Sequence, residues 1–186
     1  LRYAELLREE ILRQGPDSVL AFIMEPVGGA STSALVAPDS WHRRVQEICA
    51  EFGILLIADE VMTGAGRTGK FLACEHWNHR PDIIAMAKGF AAGYAPLGAM
   101  AADRRIVDAV MADGGFAHGY TYAGNPLACS AGLAVLQEVE RLGLLHRAQV
   151  QGEKLKAALV NMMQRYPFIG DVRGKGLLLR FLQSFS

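Results

Sequence analysis

Short apolar runs that each stop on a charged residue set the pattern of this chain. Ile54-Leu55-Leu56-Ile57-Ala58 runs into Asp59, Ile83-Ile84-Ala85-Met86-Ala87 runs into Lys88, and the apolar stretch 18–24 runs into Glu25. Runs of this length bounded by turn signals fit buried parallel strands. The segment between Asp59 and Lys88 has room for the crossover that returns a chain to a parallel neighbour. Helical periodicity fills the intervals. Residues 1–14 carry apolar side chains at Ala4, Leu6, Leu7, Ile11 and Leu12 among Arg and Glu, and Gly15-Pro16-Asp17 ends that helix. Pro38-Asp39-Ser40 opens a second helix that closes at Gly53. Further on, the pattern predicts a strand over 97–102 and a helix over 103–111. Asn125-Pro126 opens a long helix to Arg141, another covers 144–166, and a strand spans 172–182. Strands alternating with helices make the fold class α/β.

Composition narrows the class. With 186 residues, 51% of them hydrophobic, the chain can bury one sizeable core. Lys+Arg and Asp+Glu both number 19, and no basic stripe points to nucleic acid. Three separated cysteines, Cys49, Cys74 and Cys129, fit free thiols in a reducing, cytoplasmic setting. No apolar run approaches membrane-spanning length, and no secretory leader is read at the start. Leu1 reads as mid-helix and Gln183-Ser184-Phe185-Ser186 as no element at all, which suggests a partial chain.

Two motifs compete for the loop after Asp59. Gly64-Ala65-Gly66-Arg67-Thr68-Gly69 matches the dinucleotide fingerprint, yet Glu60 to Thr63 separate it from the strand and Pro81 leaves little length for the helix that motif must open. The same loop fits a phosphate-loop pattern up to Lys70, but Phe71 stands where a hydroxyl should hold magnesium. Both are set aside. Cys74, His76 and His79 lack a second ligand pair at zinc spacing and are read as a hydrated loop. Arg67 and Lys70 are read as a solvated turn, and Met86 and Met100 as core.

In open α/β sheets, ligands sit beyond the carboxyl ends of the strands. An Asp and a Lys placed there side by side could form a plain ion pair. That pairing would blunt the lysine as a nucleophile, so a ligand lying between them makes better chemical sense. Pyridoxal phosphate asks for this set: an amine for its aldehyde, and a carboxylate to keep its ring nitrogen protonated.

Longer motifs agree. Asp59-Glu60-Val61-Met62-Thr63-Gly64-Ala65-Gly66-Arg67-Thr68-Gly69-Lys70 and Pro81-Asp82-Ile83-Ile84-Ala85-Met86-Ala87-Lys88-Gly89 resemble segments of the class III pyridoxal-phosphate aminotransferases. Glu25-Pro26, His118-Gly119-Tyr120-Thr121-Tyr122-Ala123-Gly124-Asn125-Pro126, and Asp171-Val172-Arg173-Gly174-Lys175-Gly176 resemble others, in the same order. The resemblance covers nearly the whole chain. It implies the large domain of the aspartate-aminotransferase-like fold (fold type I), with a mostly parallel sheet flanked by helices. Residues 1–143 would belong to that domain, and 144–186 to a linking helix and the start of a small C-terminal domain.

Roles follow from the resemblance. Lys88 would form the Schiff base with the cofactor and then carry the proton. Asp59 would pair with the ring nitrogen and Val61 would pack on the ring. Glu25 would face the substrate. Thr121 and the backbone of Tyr120 would reach the phosphate of a neighbouring subunit, making a homodimer with shared sites. An alternative for Thr121 is a hydroxyl cap on the following helix. The implied reaction is transamination of an ω-amino acid or amine with a keto acid such as pyruvate. The alternatives are members acting on γ-aminobutyrate, ornithine or an aminomutase substrate, or a non-catalytic domain. Ala65 departs from the family's usual aromatic residue, and residues 180–186 from its usual pattern. Its upstream phosphate-binding loop and downstream carboxylate-binding arginine have no counterpart in these 186 residues.

Overall fold

The computed structural model describes residues 2–184, so Leu1 and the terminal Phe185-Ser186 lie outside it. The amphipathic stripe of the first segment forms α1 (Arg2–Gln14). A single 3-10 turn at Pro16–Ser18 follows, so the first strand, β1 (Ala21–Met24), is shorter than its apolar run. α2 (Asp39–Phe52) leads into β2 (Leu55–Asp59). The connection to β3 (Ile83–Met86) is built of turns and one 3-10 segment, Ala73–Trp77, as Pro81 requires. β4 (Ala99–Ala102) and α3 (Arg104–Ala112) follow, the helix capped by the Asp103 carboxylate on the Arg105 N–H.

The sheet order is β1-β2-β3-β4. The first three strands are parallel, with Met24 beside Ala58, Ile57 beside Ile83 and Asp59 beside Ala85. β4 returns antiparallel to β3. Along β2 the side chains alternate: Leu56 and Ala58 are buried, while Leu55, Ile57 and Asp59 are half-buried. The buried face meets α1 and α2 in one core of Ala4, Ile11, Met24, Val45, Ile48, Cys49, Ile54 and Leu56. Arg8–Glu51 (2.8 Å) and Arg44–Glu5 (2.6 Å) join the two helices at the surface. On the open face Ile23 is 60% exposed and Met100 59% exposed, so Met100 does not fill the core as its apolar context suggested. Met86 is half-buried.

α4 (Pro126–Arg141) and α5 (Leu144–Arg165) are long helices that pack on each other. The stretch 172–182 is not one strand. It is a hairpin of β5 (Ile169–Lys175) and β6 (Leu178–Gln183), a separate two-stranded sheet that packs on α5. The break falls at Gly176, where φ is 58° and a side chain would collide with the backbone of Thr68. The Leu177 N–H then donates to the Arg67 carbonyl at 3.0 Å, docking the hairpin on the loop after β2.

One histidine cluster seals α2 against that loop. His42 is fully buried, stacked on Trp77 at 3.7 Å and meeting Trp41 and His79 edge-on. Neither of its ring nitrogens has a hydrogen-bond partner. The His79 Nε2–H donates to the His42 carbonyl at 2.5 Å. Cys74 and His79 are therefore buried, not in a hydrated loop. Among the described residues no three His, Cys, Asp or Glu side chains gather to hold a metal. Burial, reinforced by His79, pushes the His42 pKa down to about 4 from 6.5. An unfolded His42 takes up its proton near pH 6.5, the folded one only near 4, so acid favours unfolding between those values. Stability should fall by about 3 kcal/mol across that window. Denaturant midpoints measured against pH check this: His42→Phe should flatten the slope, and an unchanged slope would contradict it.

Candidate active site

Three charged side chains stand at the carboxyl edge of the parallel strands because each strand ends on one. Glu25 follows β1, Asp59 closes β2, and Lys88 lies just beyond β3. Asp59 is level with Ala85, and the Glu60 N–H donates to the Ala85 carbonyl at 2.9 Å, which carries the β2–β3 pairing past the strand end. Lys88 follows three residues after Ala85, on the segment that leaves the same edge. No salt bridge joins the Asp59 and Lys88 side chains.

Asp59 is half-buried, and its Oδ1 accepts the Val61 N–H at 3.0 Å. Among the described residues its other oxygen has no protein partner, leaving one carboxylate oxygen for a ligand. Glu25 accepts the Gly29 N–H on Oε2 at 2.8 Å. A Cβ on Gly29 would stand 2.6 Å from Glu25 Oε1, the movable end of that side chain, and 3.3 Å from Met62 Cγ.

Lys88 adopts φ 46°, a left-handed conformation that non-glycine residues rarely take, and opens a 3-10 turn to Phe90. Strain of this kind concentrates at sites where the surroundings dictate the backbone. Lys88 is exposed, and its Nζ lies against Met62 Sδ. Lys88, Val61, Met62 and Ala65 line a cavity of about 500 Å³ together with Leu144 and Leu177. The small Ala65 side chain, itself at φ 54°, is part of that wall.

Glu60 was assigned no role from the sequence. It is buried, and its carboxylate accepts three bonds: from the Thr63 hydroxyl, from Ala73 N–H at 3.0 Å and from Cys74 N–H at 2.8 Å. A buried carboxylate is tolerable when it is satisfied in this way. The available signal was periodicity, since Glu60 continues the buried Leu56 and Ala58 register. The Cys74 thiol, buried and facing Glu60, is pushed up to about 12 and stays protonated. Glu60 pins both ends of the loop, and the His76 ring nitrogen against Thr68 (3.1 Å) holds its middle. No helix begins within Gly64 to Gly69, which removes both nucleotide motifs.

Tyr120 and Thr121 do not join this cluster. Both are exposed, Tyr120 to 77%, in the loop before α4. Tyr120 stands edge-on to His118 and lines a separate cavity of about 940 Å³ with Met86, Leu97, Met100 and Leu127. Thr121 is not the helix cap: Asn125 accepts the Ala128 N–H at 3.1 Å in that role.

Residues 2–183 match the class-III aminotransferase family. The chain belongs to that family. It is 45% identical over 164 residues to the 5-aminovalerate aminotransferase DavT of Pseudomonas putida, covering 88% of this chain and 37% of that protein. To the taurine–pyruvate aminotransferase of Bilophila wadsworthia it is 38% identical over 182 residues, covering 95% and 40%. Among solved structures it is similar to an (S)-enantioselective omega-transaminase from Thermomicrobium roseum, with TM-score 0.94 and 38% identity over 98% of this chain and 41% of that one. An amine transaminase from an uncultivated Pseudomonas species, solved with pyridoxal phosphate bound, gives TM-score 0.89 and 44% identity, with 93% and 40% covered. The chain thus spans about 40% of the length of such relatives. The fold is that of the transaminases, fold type I, and the cofactor of this class III family is pyridoxal phosphate.

The buried Glu60 carboxylate should be as important to the loop as any apolar contact. Whichever way its amide turns, Glu60→Gln sets an NH2 donor against one backbone N–H, that of Ala73 or that of Cys74. It should cost about 1–3 kcal/mol in denaturant unfolding. A loss under about 0.5 kcal/mol would show that the loop does not depend on this carboxylate.

Proposed function

We propose that this chain supplies the cofactor-binding part of an aminotransferase that moves an amino group from an ω-amino acid or amine to a keto acid such as pyruvate. The supporting observation is the pair of strand ends: an amine on one, a carboxylate on the other, unpaired with each other and one strand apart. That donor set fits pyridoxal phosphate, whose two ends ask for these two groups. When bound, the cofactor supplies a ring that draws electrons from the substrate carbon bearing the transferred nitrogen.

The chain's own residues do the rest. Lys88 would hold the cofactor through its Nζ amine and, when free, would carry the proton between the substrate carbon and the cofactor carbon bonded to the same nitrogen. Its lack of a carboxylate partner keeps that amine from being tied up as an ion pair. Asp59 keeps the proton on the ring nitrogen through its free oxygen, while its Oδ1 is braced by Val61 N–H. Val61 packs against the ring and Glu25 faces the substrate. The exposed Tyr120 and Thr121 reach the phosphate held by a second subunit, so the working form is a homodimer. We place the protein in the cytoplasm; among the described residues no helix is long and apolar enough to cross a membrane. Residues 1–143 would form part of the large domain, and 144–186 the link to a smaller one. The ω-amino substrate class is supported by the two relatives named for 5-aminovalerate and taurine, compounds with amine and acid at opposite ends.

In the full-length protein, Lys88→Ala should abolish the borohydride-reducible cofactor adduct, while Lys70→Ala keeps it. A reduced adduct mapped by mass spectrometry to Lys70 or Lys175 would refute the assignment. Asp59→Asn should still bind cofactor but slow the amine half-reaction by roughly a hundredfold or more, followed by absorbance. Rates equal to the parent's would remove Asp59 from the mechanism.

A further inference from the structure

Among the described residues the Lys88 amine lies against one partner, and it is a sulfur, Met62 Sδ. Met62 is half-buried, lines the same cavity as Lys88, and touches the Gly29 turn that holds Glu25. A thioether is a weak, uncharged acceptor, so the contact positions the amine while leaving it free to react. It is also the most easily oxidised side chain within reach of that amine.

We propose that Met62 is an oxidative modification site that controls the reactivity of Lys88. The inference rests on the reading of Lys88 as the cofactor lysine. The oxidant is a hydroperoxide. Its O–O bond breaks, the terminal oxygen transfers to Sδ, and the hydroperoxide leaves as an alcohol, or as water when it is hydrogen peroxide. The sulfur loses two electrons to the peroxide and no proton leaves Met62. The product, a sulfoxide, presents a strongly polar oxygen where a weak acceptor stood. With Nζ already against the sulfur, that oxygen accepts a charge-assisted bond from the Lys88 ammonium and ties it down. Oxidation therefore acts when the lysine is free: before cofactor capture, and whenever the cofactor carries the amino group. Enzymatic reduction of the sulfoxide reverses it. The exposed methionines Met100, Met111 and Met162 have no lysine amine bonded to their sulfur, so they serve as internal controls.

The test uses the full-length protein stripped of cofactor and treated with hydrogen peroxide. Peptide mass spectrometry follows the added oxygen on Met62, and acetic anhydride labelling reads the Lys88 amine directly. Lys88 labelling should fall about tenfold in step with Met62 oxidation and recover after methionine sulfoxide reductase. In Met62→Leu, a volume-conserving change without sulfur, peroxide should leave Lys88 labelling where it was before treatment. Unchanged Lys88 labelling on fully oxidised Met62 would overturn the proposal, as would a Met62 that stays reduced while Met100 and Met111 oxidise. A parallel arm reduces the pyridoxal phosphate adduct with borohydride in untreated protein. An adduct on another lysine there would refute the functional assignment, whereas a Met62-dependent loss of acetylation at Lys88 would still support the modification site.

Discussion

The parallel pairing of β2 with β3 is the constraint on which the site depends. Parallel neighbours deliver their carboxyl ends to the same edge, so a residue at the end of one strand meets the residue just past the end of the next. Here the register sets Asp59 level with Ala85, and one further backbone bond, Glu60 to Ala85, fixes the approach of the segment that carries Lys88. Slipping that register by one residue would turn Asp59 to the buried face and bring Glu60 to the open one. Charge chemistry at the edge is thus a consequence of strand alignment rather than of any direct attraction, for the two side chains make no ion pair.

The loop after β2 has to hold its shape without a helix, and it does so with polar groups placed inside. Glu60 satisfies three donors, Thr68 meets His76, and His42 sits among Trp41, Trp77 and His79 without a proton partner. The hairpin β5–β6 leans on the same loop through Leu177 and Gly176. Val61, Met62, Ala65 and Arg67 of that loop, with Leu177 of the hairpin, line the cavity that Lys88 shares.

Much of this was legible in the residue pattern, because the signals were local. An apolar run ending in Asp59 or Lys88 announces a strand end, and Gly-Pro or Asn-Pro dipeptides mark helix limits that the fold respects. The features that stayed hidden depend on contacts between distant segments. Nothing near Gly176 in sequence reveals that Thr68 will press against it, so the hairpin read as one strand. His79 looked solvated because its partner, the His42 carbonyl, comes from α2, far away in sequence. Met100 looked like core because an apolar strand residue does not say which face will be covered. The Met62–Lys88 contact crosses from one strand end to the next, beyond the reach of spacing arguments. Tyr120 and Thr121 were placed by resemblance alone, and both are exposed in the loop before α4.

The central claim is that Asp59 and Lys88 grip opposite ends of one cofactor. It is tested most directly by nuclear magnetic resonance of pyridoxal phosphate carrying an isotopically labelled ring nitrogen, bound to the full-length protein. The parent should show a protonated ring nitrogen near neutral pH, and Asp59→Asn should lose that signature while the cofactor stays attached to Lys88. A ring nitrogen that is unprotonated in the parent, or equally protonated in both proteins, would contradict the account.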